Sequence, residues 1–242
     1  HLRPSFGNCS RGEDLSEMVP INHCRARGMP IQAFWMVSVS PRKASPYPGR
    51  VYVGRMQLTR GRITDAALRI LAEYGLADVS MRRVATSLGV APGALYWHFE
   101  SKQELIASLA EAIVQPLFDD PLPDPARLSS ELRAAVLAVR DGAEVVVAAV
   151  SQPGARVQLD LEARFVASVR GLLGEAASIG NAMDKVHAGA RGLLHLTLGN
   201  AAVHQSAAQL AQATGGASSD DDGSAEHAAA VEFLLDGLKQ SG

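Results

Sequence analysis

Arg82 and Lys102 flank a run of small residues, Pro92-Gly93-Ala94, and an aromatic run, Tyr96-Trp97-His98. A guanidinium donates two hydrogen bonds in a fixed fork, and an ammonium neutralises an anion as a point charge. Three consecutive aromatics on a helix cannot all face one core, because they span nearly a full turn. No nucleophile stands beside a base, and no carboxylate pair or His/Cys cluster has a telling spacing. The chemistry on offer is recognition of a charged partner, and an enzyme reading finds no residues to carry it.

The elements that would position these residues follow from period and caps. Met81, Val84, Ala85 and Leu88 fall at i, i+3, i+4 and i+7, one apolar face of a helix. Ser80 can cap its start, and Gly89 can end it in a left-handed turn. Val90 anchors that turn, and Pro92 suits the first turn of a second helix. Leu95 and Phe99, four residues apart, can pack inward while Tyr96, Trp97 and His98 project outward. Gly93 and Ala94 leave the start of this helix free of bulk. Two helices joined in this way make a helix-turn-helix, whose second helix enters the DNA major groove while the first crosses the backbone. Two helices of an unrelated all-α domain are the alternative, and the aromatic tripeptide fits it poorly.

Residues 88 to 105, Leu-Gly-Val-Ala-Pro-Gly-Ala-Leu-Tyr-Trp-His-Phe-Glu-Ser-Lys-Gln-Glu-Leu, resemble the recognition segment of the TetR family of transcriptional repressors. Arg62 to Gly75 resembles that family's first helix, with Ile63, Ala66, Ala67, Ile70, Leu71 and Tyr74 as its apolar stripe. Leu132-Arg133, Arg140-Asp141-Gly142-Ala143 and Leu196-Thr197-Leu198-Gly199 look like the regulatory domain of the tetracycline repressor branch. The resemblance implies that Arg82 takes a guanine edge, worth about 1–3 kcal/mol of discrimination. It places Pro92, Gly93 and Ala94 near thymine methyls, and Tyr96, Trp97, His98 and Lys102 on the phosphate backbone. That branch often has a polar side chain where Pro92 stands, so a different operator is expected.

The branch holds a magnesium–drug chelate with a histidine and a glutamate from the partner subunit. Val146 and Val203 stand at the matching positions and cannot coordinate a hard cation. With Phe118, Leu128, Leu132 and His195 they imply a metal-free, cofactor-free apolar pocket for a hydrophobic or aromatic effector. Ordinary helix-bundle core is the alternative, for His195 above all. A homodimer on a palindromic operator is expected, because one three-helix reader makes too few contacts for tight specific binding. Val186, Leu193, Leu194, Leu198 and Ala201, with the last helix, are the expected interface, and Gly189, Gly192 and Gly199 would allow close helix approach. A ligand-binding or interaction protein of the same fold without operator binding is the rival reading.

The chain has 242 residues, 47% of them hydrophobic, enough for a small domain plus a larger one. No apolar run approaches the roughly 18 residues of a membrane span. Cys9 and Cys24 have no partner motif, which fits a reducing cytoplasm. Residues 1–62 hold ten Lys or Arg against three Asp or Glu, whereas the remainder holds 13 against 22, netting to −2. The basic arm could touch phosphates, with Arg55, Arg60 and Arg62 the best placed, or could touch nothing ordered.

The expected class is all-α. Residues 1–55, with six prolines, form an irregular basic leader, and they could lie upstream of the true start because the chain begins with His1. Residues 56–117 form the helix-turn-helix domain with its connecting helix, Lys102 to about Leu117, started by the capping box Ser101/Glu104. Residues 118–242 form a helical ligand-binding and dimerisation domain. Its helices are expected over about 126–150, 158–177, 182–212 and 225–239, the last with Ala229, Phe233, Leu234 and Leu238 on its apolar side.

Overall fold

A computed structural model of the chain describes residues 57–174, 182–215 and 223–240. Every described residue belongs to one compact unit within residues 49–242. The expected leader, with Arg55, Cys9 and Cys24, therefore lies outside the described residues. Among those described, all regular structure is helical: the fold is all-α.

The first three helices are α1 (Arg60–Tyr74), α2 (Met81–Leu88) and α3 (Pro92–Leu95). Each start is capped or pre-set. Thr59 accepts from the Arg62 amide at 3.3 Å and Ser80 from the Arg83 amide at 3.2 Å, while Pro92 occupies the first position of α3. These bonds satisfy amides that the helix itself leaves open. Gly89 ends α2 at φ 68°, ψ 29°, a left-handed conformation that glycine takes without Cβ strain. Most of the expected inward residues pack inward, with Ile63, Leu71, Val84, Leu95 and Phe99 fully buried, whereas Tyr74 of the expected α1 stripe is 44% exposed.

Next come α4 (Lys102–Val114), α5 (Pro116–Asp119), α6 (Pro125–Leu137), α7 (Gly142–Val150), α8 (Arg156–Leu173), α9 (Ala182–Thr214) and α10 (Ser224–Gln240). The connecting helix ends at Val114, short of the expected Leu117, and Pro116 opens α5. The single helix expected over 126–150 is two. Asp141 adopts φ 56°, and a Cβ on Gly142 would lie 2.3 Å from the Val136 carbonyl oxygen, so the chain turns sharply there. The Asp-Gly pair was the local signal for this turn.

Two further expectations are corrected. Val186, Leu193, Leu194, Leu198 and Ala201 are at most 3% exposed within the single chain, where α9 packs against α6, α8 and α10. They are core and not available to a partner. On α10 the buried residues are His227, Val231 and Leu235, while Ala229 and Phe233 face out and Leu234 and Leu238 are half-buried. Gly189 and Gly192 do permit close approach, but of α10 in the same chain: their Cβ positions lie 2.5 Å from Leu238 and 3.3 Å from Leu234. Gly199 has open space beside it.

Candidate DNA-binding site

The reading surface is built on the tight turn of α2 and α3. After Leu95 the chain continues as a turn in which the His98 and Phe99 amides both donate to the Leu95 carbonyl at 2.9 Å. This pins Phe99 in the core and turns its predecessors outward. Trp97 is 90% exposed and Tyr96 54% exposed, and His98 is half-buried. Arg82, Pro92, Gly93 and Lys102 are exposed and Ala94 is half-buried, so all eight expected contact residues reach solvent. A Cβ placed on Gly93 would meet nothing within 4 Å. The fold itself makes no demand for a glycine there.

Arg60 carries a role that periodicity does not reveal. Its guanidinium lies 4.1 Å from the Phe99 ring centroid, donates to the His98 carbonyl, and donates to Glu104 Oε1 at 2.6 Å. Glu104 Oε2 in turn accepts from the Glu100 amide at 2.6 Å, and the Glu104 amide donates to Ser101 at 3.2 Å. The Ser101 half of the expected capping box is present, but Glu104 reaches back to the Glu100 amide, and a cation extends the arrangement and clamps the aromatic turn between α1 and α4. The Arg60 bond, and then the Glu100 amide, hold the Glu104 carboxyl below the usual carboxylate range. Arg60 is thereby engaged within the chain, while about half of its side chain stays exposed. Arg83 does similar work, lying 3.9 Å from the Tyr74 ring centroid and pairing with Asp78.

Polar contacts join this head to the helical body. Arg140 donates to the Glu73 carbonyl at 2.9 Å, close to the end of α1. Asp141 accepts from the Leu76 amide at 2.6 Å and from Gln209 of α9. Gln205 donates to the Val139 carbonyl at 2.9 Å and accepts from the Ala143 amide at 3.0 Å. The α6–α7 turn is therefore held by α9 on one side and by the head on the other.

The six residues expected around an effector do not meet in one cavity. Leu128, Leu132 and Val146 are fully buried core, His195 is exposed, and Val203 is 72% exposed on α9. Phe118 is half-buried and lines a groove between α4–α5 and α8. Among the described residues, no group of three His, Cys, Asp or Glu is placed to hold a metal ion. No helix among them is long and apolar enough to cross a membrane.

Comparison with known proteins gives this geometry a lineage. A family model described as "Bacterial regulatory proteins, tetR family" matches residues 63–109, which run from α1 into α4. The crystal structure of Mycobacterium smegmatis BioQ is 32% identical, aligning 77% of this chain with all of that one at a TM-score of 0.65. The chain belongs to the TetR family. A structure of BioQ with its double-stranded DNA operator is 31% identical, over 76% of this chain and 99% of that one, at a TM-score of 0.61. Among curated TetR-family relatives, the class A tetracycline repressor protein of Escherichia coli is 33% identical over 50% of this chain and 60% of its own length. The regulator SrpR of Pseudomonas putida is 39% identical over 27% of this chain and 31% of its own. The chain spans about a third to a half of the first curated relatives that it matches.

Proposed function

We propose that this chain is a transcriptional repressor that binds a palindromic operator as a homodimer and is released by a small, hydrophobic effector. The observation that carries the reading is the outward display of Trp97 and Tyr96 behind the unobstructed Pro92-Gly93-Ala94 start of α3. Large exposed aromatics on a rigid turn serve binding rather than folding. Residues 56–117 act as the reader and 118–242 as the effector-binding and dimerising body. Arg82 reads a base edge, α3 sits in the major groove, and Tyr96, Trp97, His98 and Lys102 hold the backbone. The relatives named above are regulators, which supports a binding protein and not an enzyme, and the DNA-bound BioQ structure supports a duplex as partner.

The dimer reading keeps the last helix of the expected interface, through Phe233, and replaces the buried α9 stripe with exposed residues of α9. Val203 is 72% exposed and Leu210 65% exposed on α9, and Phe233 is 84% exposed on α10. Each such side chain gains about 1.5–3 kcal/mol on full burial, which a second copy can supply. Release requires an effector that favours the non-binding arrangement of the two heads. A 100-fold loss of operator affinity needs about 2.7 kcal/mol of such preference. The Gln209–Asp141–Leu76 chain of bonds is the path by which a shift in the body would reach α1.

The test is a gel shift, at low salt, on DNA upstream of the chain's own gene. A shift that is lost on adding unlabelled specific DNA, with two chains per duplex, is expected. No shift anywhere across that region would overturn the operator reading and favour a ligand-binding protein of the same fold.

A further inference from the structure

The groove between α4–α5 and α8 has a volume of about 740 Å³ and a distinctive lining. It exists because α8 presents the small side chains of Ala163 and Ala167 toward it, where longer ones would close it. Val114 and Val157 supply apolar floor, and Phe118 and Leu122 supply larger apolar walls. Such a surface takes a hydrocarbon or ring.

One charged side chain inside it is incompletely matched. Arg164 donates from Nη2 to the Asp120 carbonyl at 2.9 Å, and its guanidinium lies 5.3 Å from the Phe118 ring centroid. These contacts fix the fork in place. Its Nε is buried and has no hydrogen-bond partner among the described residues. Buried donors are normally satisfied, and an unsatisfied one marks a place where another molecule can supply the acceptor. The other groups of the groove define how many acids fit. Asp160 is paired with Arg156 at 3.4 Å, and Glu111 stands exposed on the α4 wall. A second anion would face these carboxylates.

We propose that this groove binds an amphipathic monocarboxylic acid, its apolar body against Phe118, Ala163 and Ala167 and its carboxylate on Arg164. The assignment rests on the reading of the helical body as the effector-binding part, and it names the chemical class of that effector. A guanidinium suits the task, because it presents parallel N–H donors to a planar carboxylate.

Calorimetric titration of the full chain with sodium decanoate and with 1-decanol tests this, beside operator release followed by fluorescence anisotropy. Decanoate is expected to bind once per chain and at least tenfold more tightly than the alcohol. Arg164→Gln should abolish that preference while leaving alcohol binding in place. Ala163→Leu, at an exposed position on the groove wall, should fill the groove and weaken both ligands, with thermal unfolding confirming that each variant is folded. Equal affinity for acid and alcohol, no binding of either, or an unchanged acid preference in Arg164→Gln overturns the proposal. Acid binding without operator release would keep the groove assignment and sink the effector reading. Release by other compounds with no decanoate binding would do the reverse.

Discussion

Replacing Gly93 separates the demands of folding from those of DNA binding. A Cβ at this position meets nothing within 4 Å, and the residue is not among those with positive φ. Gly93→Ala should therefore stabilise the fold by about 0.4–1 kcal/mol, since alanine loses less backbone freedom on entering a helix. For a chain of this size that is a rise in Tm of about 1–4 °C. Gly93→Leu should likewise fold, with its side chain in solvent. At the operator the outcome reverses. Forcing extra carbons into a close-packed contact costs about 1–3 kcal/mol, and a dimer carries two copies. The loss for Gly93→Leu is then about 2–6 kcal/mol, or roughly 30-fold to 10⁴-fold in Kd. Calorimetric unfolding and fluorescence anisotropy on operator DNA read the two halves separately. A stably folded Gly93→Leu protein with wild-type operator affinity would refute the claim that α3 enters the groove by this end.

Arg82→Ala should cost about 1–3 kcal/mol of operator affinity and relax one base position, read by binding to a library of single-substituted sites. Phe233→Glu should shift the chain from dimer to monomer in light scattering, because an exposed apolar residue would be replaced by a charge at the expected contact. Gly142→Ala should lower stability by about 1–3 kcal/mol in urea, its Cβ pressing against the Val136 carbonyl and the Val139 side chain. His227 hydrogen-bonds Thr197 at 3.2 Å, and burial, followed by the charge of Arg133, lowers its pKa from 6.5. The unfolded chain therefore binds a proton that the folded one resists, so stability present above about pH 6.5 should fall as pH drops toward the lower folded value. His227→Gln should flatten that part of the stability curve, and an unchanged pH profile would show that another group controls it.

The reader was legible because its determinants are local. Ser80, Gly89 and Pro92 act within one helical turn of themselves, and the Met81–Val84–Ala85 stripe needs only its own period to declare a buried face. The body was harder because α9 is rich in alanine and glycine along much of its length. Its sequence offers several faces that a neighbour could cover, and His195 and Thr197 look equivalent on paper. The structure buries Thr197 and leaves His195 in solvent. The Asp141–Gly142 turn was visible as a dipeptide but hidden by apolar residues on both sides.

The sequence by itself determined that the described residues are helical, where the reading helices start and stop, and which of their side chains stay out of the core. Tertiary structure decided what Arg60, Asp141 and Arg164 do. Arg60 meets Glu104 across 44 residues, Asp141 meets Leu76 across 65, and Arg164 meets Asp120 across 44. Helical period and capping act over about four residues, so no local pattern can encode which distant carbonyl or carboxylate a long side chain will find. That pairing follows only once the helices have packed.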